Sequence, residues 1–68
     1  MNKFAERLKY LRTEKEIGQE ELAKKIGVSK GTISLWENSL REPTLSNIIA
    51  IAEYFHVTTD YLTGVTDD

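Results

Sequence analysis

One glycine does most to constrain how this chain can fold. In LAKKIGVSKGTISLW, residues 22–36, Gly27 separates two short stretches whose apolar residues recur at helical spacing. Leu22, Ala23 and Ile26 precede it, and Ile33 and Trp36 follow. A glycine can take the left-handed backbone conformation that ends a helix cheaply, and Ser29, two residues on, is a good N-cap for the next one. Two helices joined so tightly must pack against each other. Ala23 is small where they are expected to cross, and Val28 is apolar within the turn.

Residues 19–38 therefore carry a helix-turn-helix pattern, with Leu22, Ile26, Val28, Ile33 and Trp36 facing inward. The rest of the chain also reads as helix, and no stretch alternates with period two for long enough to make a strand. Phe4, Leu8 and Leu11 predict a first helix, capped by Asn2 and running to about Lys15. Pro43 breaks the chain after the third helix. Thr44 then caps a fourth, with Leu45, Ile48, Ile49, Ala52 and Phe55 expected on one face. Thr58 caps a short fifth helix, with Tyr61 and Leu62 expected inward and Gly64 as its stop. The expected fold class is all-α, a compact five-helix domain over residues 1–64. Residues 65–68 form a tail, in which TDD reads as a solvated end or a linker.

At 68 residues there is material for one small core, and the chain contains no cysteine and a single histidine, His56. That excludes a disulfide framework and a thiolate metal site, and a zinc site or a triad built on His56 would need partners that are missing. No cofactor is expected. His56 reads as a surface residue at a helix end. The longest apolar run, IIAIA at 48–52, is far short of the roughly 20 residues needed to span a membrane. The N-terminal residues resemble neither a secretory signal nor a transit peptide, and a cytoplasmic protein is expected. The net charge of −2 conceals an asymmetry. All nine lysines and arginines lie in residues 1–41 with six glutamates, a net of +3, whereas residues 42–68 hold five acids and no lysine or arginine. One part of the surface can attract a polyanion while another turns it away.

From Gly18 to Gly64, GQEELAKKIGVSKGTISLWENSLREPTLSNIIAIAEYFHVTTDYLTG, the chain resembles the Cro-and-repressor type of helix-turn-helix domain, the lambda-repressor-like or Xre family. The match extends back to about Phe4. The resemblance implies a five-helix fold and operator DNA as partner, read by the third helix in the major groove. It also implies a homodimer on a pseudo-palindromic site, with Tyr61, Leu62 and Val65 supplying the contact between protomers. Two positions depart from the family pattern. Glu16 stands where a glycine commonly ends the first helix, so either Glu16 bears a strained backbone or the turn shifts toward Gly18. Gly18 replaces the usual threonine or serine cap.

Steps of 100° per residue put Ile33, Trp36 and Glu37 on the inner side of the third helix and Gly31, Ser34, Leu35 and Asn38 on the outer side. The resemblance makes Lys30, Thr32, Ser34 and Leu35 the base-reading set. Lys30 suits guanine O6 and N7, and Leu35 suits a thymine methyl. Gly31 either permits close backbone approach or reads nothing. Gln19, Asn38 and Arg41 are assigned to phosphates, with Lys24 and Lys25 as further candidates. Glu37 points partly inward and needs a cation. In the family an arginine at the position of Arg12 pairs with a glutamate at that of Glu37, so an Arg12–Glu37 ion pair is expected.

No nucleophile–base pair or metal cluster supports an enzyme, and Glu20 and Glu21 are accounted for as favourable charge at a helix N-terminus. A protein-interaction module, such as an antitoxin or adaptor retaining the fold, would keep the core pattern without needing Gln19, Lys30 or Arg41. The reading the residues favour is a sequence-specific DNA-binding transcriptional regulator, a repressor.

Overall fold

Five helices form in residues 3–67, which a computed structural model describes: α1 (Phe4–Glu14), α2 (Gln19–Ile26), α3 (Lys30–Glu37), α4 (Leu45–Phe55) and α5 (Thr59–Thr63). Hydroxyl caps start three of them. Ser29 Oγ accepts from the Thr32 amide at 3.1 Å, Thr44 Oγ1 from Asn47 at 3.2 Å and Thr58 Oγ1 from Tyr61 at 3.0 Å. Each bond satisfies a donor that the first turn would otherwise leave without an intrahelical partner. Gly18 precedes α2 in extended conformation and offers no side-chain cap. Asn2, the expected cap of α1, lies outside the described residues, and Lys3 flanks the helix without a side-chain bond.

Every helix is followed by a residue with left-handed backbone: Glu16, Gly27, Ser39, His56 and Gly64, with φ between 58° and 88°. Only two of the five are glycines. At Gly27 the turn closes by amide bonds from Gly27 and Val28 to the Ala23 carbonyl, at 2.8 and 3.0 Å. At Gly64 the glycine is needed twice over, because a β-carbon there would come within 3.0 Å of Lys3 Cβ and 3.2 Å of the Lys3 amide nitrogen. Of the two possibilities at the end of α1, the strained one occurs. Glu16 takes φ 58° and bonds the Thr13 carbonyl, and the turn does not shift to Gly18.

The core is Phe4, Leu8, Leu22, Ala23, Ile33, Trp36, Ile51, Ala52 and Leu62, with at least one residue from each helix. Phe4 meets Trp36 edge to face, ring centroids 6.0 Å apart, and this contact ties the start of α1 to the end of α3. The α3 helix packs on α1 and α2, α2 also packs on α4, and α5 closes the molecule against α1 and α4.

Two expectations about side-chain placement fail. In α4, Leu45 is 72% exposed and Ile49 42%, while Ile51 is fully buried. The buried stripe is Ile48, Ile51, Ala52 and Phe55, an i, i+3, i+4, i+7 set, with Leu45 and Ile49 on its flank. In α5, Leu62 is fully buried, as its inward placement required, and so has no surface to offer the second protomer it was also expected to contact. Tyr61 does not present a free ring either: the Arg7 guanidinium lies 4.3 Å from its centroid. Of the three expected dimer-contact residues, Val65 alone is fully open, at 71% exposure.

Nor is the tail simply solvated. Arg7 donates to the Tyr61 carbonyl and to the Thr66 carbonyl, and it pairs with Asp67 at 3.2 Å. The Val65 amide bonds the Asp60 carbonyl at 2.8 Å. Arg7 lies in the stripe Phe4, Leu8, Leu11 of α1. A cation interrupting an apolar face was the available signal for this clamp.

The helix ends generate a prediction with two signs. Gly27→Ala should cost about 1–2 kcal/mol, since a β-carbon disfavours the left-handed conformation even where space is open. Glu16→Gly removes the same strain. After the entropy of a more flexible unfolded chain is subtracted, it should stabilise by up to about 1 kcal/mol. Urea unfolding of the two variants against the parent measures both.

Candidate nucleic-acid interface

The turn at Gly27 and the burial of Ile33 and Trp36 fix which side of α3 faces out. Lys30, Gly31 and Asn38 are exposed, and Thr32, Ser34 and Leu35 are partly buried. Apart from Lys30 at its start, this face carries no charge. Leu35 is thus less open than an outward leucine at the helix centre was expected to be. Thr32 has a second task, since its hydroxyl lies 2.9 Å from that of Ser29 and belongs to the cap. Asn38 turns its amide back on the helix and donates to the Ser34 carbonyl at 2.8 Å. Arg41 is exposed in the loop after α3, and Lys24 and Lys25 are exposed in the last turn of α2.

Gly31 stands apart. Its φ is not positive, and a β-carbon placed on it would meet only Ser29 Oγ, at an ordinary 3.9 Å. Nothing within the domain requires glycine there. Yet glycine inside a helix costs about 1 kcal/mol relative to alanine.

Beneath this face, Glu37 closes the back of the site. Its Oε2 accepts from Arg12 Nε at 2.7 Å and its Oε1 from Arg12 Nη2 at 3.1 Å, a two-pronged pair with side-chain exposures of 15% for Arg12 and 4% for Glu37. Arg12 Nη1 also donates to the Ile17 carbonyl at 2.9 Å. The hydrogen bond to Glu37 raises the Arg12 guanidinium above its ordinary value. Burial opposes that rise, and the carboxylate's charge adds to it. One contact here was not expected: Gln19 Nε2 donates to Glu37 Oε1 at 3.1 Å, so the first residue of α2 joins the pair. Among the described residues no cluster of acidic or histidine side chains could hold a metal ion, and no helix is long and apolar enough to cross a membrane.

The family profile described as helix-turn-helix matches residues 8–62, most of the chain. The chain belongs to this helix-turn-helix family. Within it the domain is of the lambda-repressor-like type, and its described residues superimpose on the phage P22 c2 repressor solved in complex with a synthetic operator. That match has a TM-score of 0.83 and 37% identity, covering 87% of this chain and 89% of the repressor chain. Among sequences, the helix-turn-helix domain is 34% identical over 65 residues to the HTH-type transcriptional regulator YobD of Bacillus subtilis, covering 96% of this chain and 58% of that protein. It is 39% identical over 62 residues to the HTH-type regulator MJ0272 of Methanocaldococcus jannaschii, covering 91% of this chain and 94% of that one. The chain thus spans little more than half of the Bacillus relative and nearly all of the archaeal one.

The closed-off Glu37 predicts a large effect from a small change. Glu37→Ala leaves the Arg12 guanidinium facing a pocket from which water is mostly excluded, and breaking such a pair costs roughly 3–5 kcal/mol. Chemical denaturation should show a loss in this range, close to the whole stability of a domain this size. An unfolding midpoint within experimental error of the parent would mean the pair contributes nothing to the fold.

Proposed function

We propose that this helix-turn-helix domain binds double-stranded DNA sequence-specifically and regulates transcription as a repressor, with α3 lying in the major groove. Gly31 carries the reading. A helical glycine that the fold does not need, on the exposed face of α3, suits a backbone that must come close to another surface. The uncharged outer face beside it suits base edges better than water. The P22 c2 repressor, whose domain superimposes on this one, was solved with operator DNA, which supports DNA as the partner. An adaptor or antitoxin retaining the fold would have no use for exposed cations at Lys24, Lys25 and Lys30 beside the turn and at Arg41 after α3.

In this reading Lys30, Ser34 and Leu35 meet base edges, with Thr32 beside them, while Gln19, Asn38 and Arg41 meet phosphates. The acidic half of the chain stays away from the duplex. The domain binds as a two-fold homodimer. Its longest dimension is 27 Å, shorter than the roughly 34 Å between successive major grooves on one face of the duplex, so each protomer reads one half of a pseudo-palindromic site. Footprinting tests this directly, because one protomer protecting a single unrepeated half-site would exclude the pairing. The setting is the cytoplasm, with no cofactor.

Two measurements test the interface. Gly31→Ala should stabilise the fold by up to about 1 kcal/mol, because it improves helix propensity in open space. The same variant should weaken DNA binding. A variant that is more stable and binds equally well would remove the main support for this reading. The second measurement is a selection of duplexes from random sequence with the parent, Leu35→Ala and Arg41→Ala. Leu35→Ala should lose a thymine preference worth about 1–3 kcal/mol at one position. Arg41→Ala should weaken all sequences alike and reduce the salt slope by about one unit, as loss of a phosphate contact does.

A further inference from the structure

We propose that Glu37 is a positioning residue for DNA binding: it holds the Gln19 amide in the orientation that offers a hydrogen to a phosphate. The inference rests on the assignment of Gln19 to the DNA backbone in the reading above and adds the group that aims it. Glu37 is the last residue of α3, Gln19 the first of α2 and Arg12 in the last turn of α1. All three helices meet at one carboxylate.

The chemistry settles which way the amide faces. A carboxylate paired with arginine can only accept, so Gln19 must turn its NH2 toward Glu37 and cannot turn its oxygen there. One amide hydrogen is committed to Glu37 Oε1 and the other projects away. It leaves from the start of α2, where the backbone amides of residues 19–21 have no acceptor within the helix and Gly18 supplies no cap. A phosphate oxygen arriving at that end meets a donor already oriented.

Glu37 itself is too enclosed to touch the duplex. The route to affinity proposed for it runs through Gln19. Ordering a long side chain on binding costs enough to weaken association by about twofold to tenfold, and the bond to Glu37 removes that cost beforehand. The recognition helix and a phosphate contact on the preceding helix are thereby held in one register.

The test uses a duplex selected from random DNA by the parent. Gln19→Ala is expected to lower affinity and reduce the salt slope by about one unit. Glu37→Gln keeps the shape but removes the charge, and is expected to lower affinity by about twofold to tenfold at a temperature where circular dichroism shows it folded. In the double variant, Glu37→Gln should cost nothing beyond Gln19→Ala. Independent, additive losses would overturn the positioning role while leaving DNA binding intact. A parent that selects no duplex would instead overturn the DNA-binding reading, and this inference with it. Nuclear magnetic resonance of the Gln19 side-chain amide in the unmodified protein needs no variant to fold. One hydrogen should stay bonded to Glu37 with and without DNA, and the other should shift on binding. Release of the first hydrogen when DNA is added would also overturn the proposal.

Discussion

The carboxylate of Glu37 is the point on which the domain depends. It sits at the end of α3 with almost no access to solvent, and an isolated charge so enclosed would be costly. Arg12 reaches it from α1 with two donors, and Gln19 from α2 with a third. Three helices that share few residues in sequence are thus fixed by directional bonds, and the apolar contacts around Trp36 need only fill the remaining space. Apolar packing alone would tolerate small rotations of α3 about its axis. The bonds at Glu37 resist them.

That rigidity stands out in a chain otherwise made of short pieces. The helices run from five to eleven residues, and each is followed by a left-handed residue. Glutamate, serine and histidine fill three of those positions at some cost in backbone strain. Tertiary contacts outweigh the strain. The turn at Glu16, for example, carries the chain to Ile17, whose carbonyl accepts from Arg12 and whose side chain packs on the core.

The legible parts of the site were those with a local cause. Ser29, Thr44 and Thr58 lie one residue before the helices they cap, and the left-handed Gly27 was recognisable from its neighbours alone. The inner face of α3 also followed from spacing, because two large apolar residues three apart define a side. Spacing was insufficient in α4, where apolar residues at 45, 48, 49, 51, 52 and 55 cover more than one face. Several stripes of similar hydrophobicity were available. The stripe through Ile51 is buried because that side meets α2 and α5.

By itself, then, the sequence determined the five helices, the caps of α3, α4 and α5, the tight turn of residues 26–29 and which side of α3 turns away from the core, since each depends on residues within about one helical turn of one another. Only the tertiary structure decided that Arg7 covers Tyr61 and holds Asp67, and that Gln19 bonds to Glu37. These contacts join residues 18 to 60 positions apart. A long polar side chain has several partners within reach of its rotamers. Which one it takes depends on how far apart the packed helices place them, a distance that no local pattern encodes.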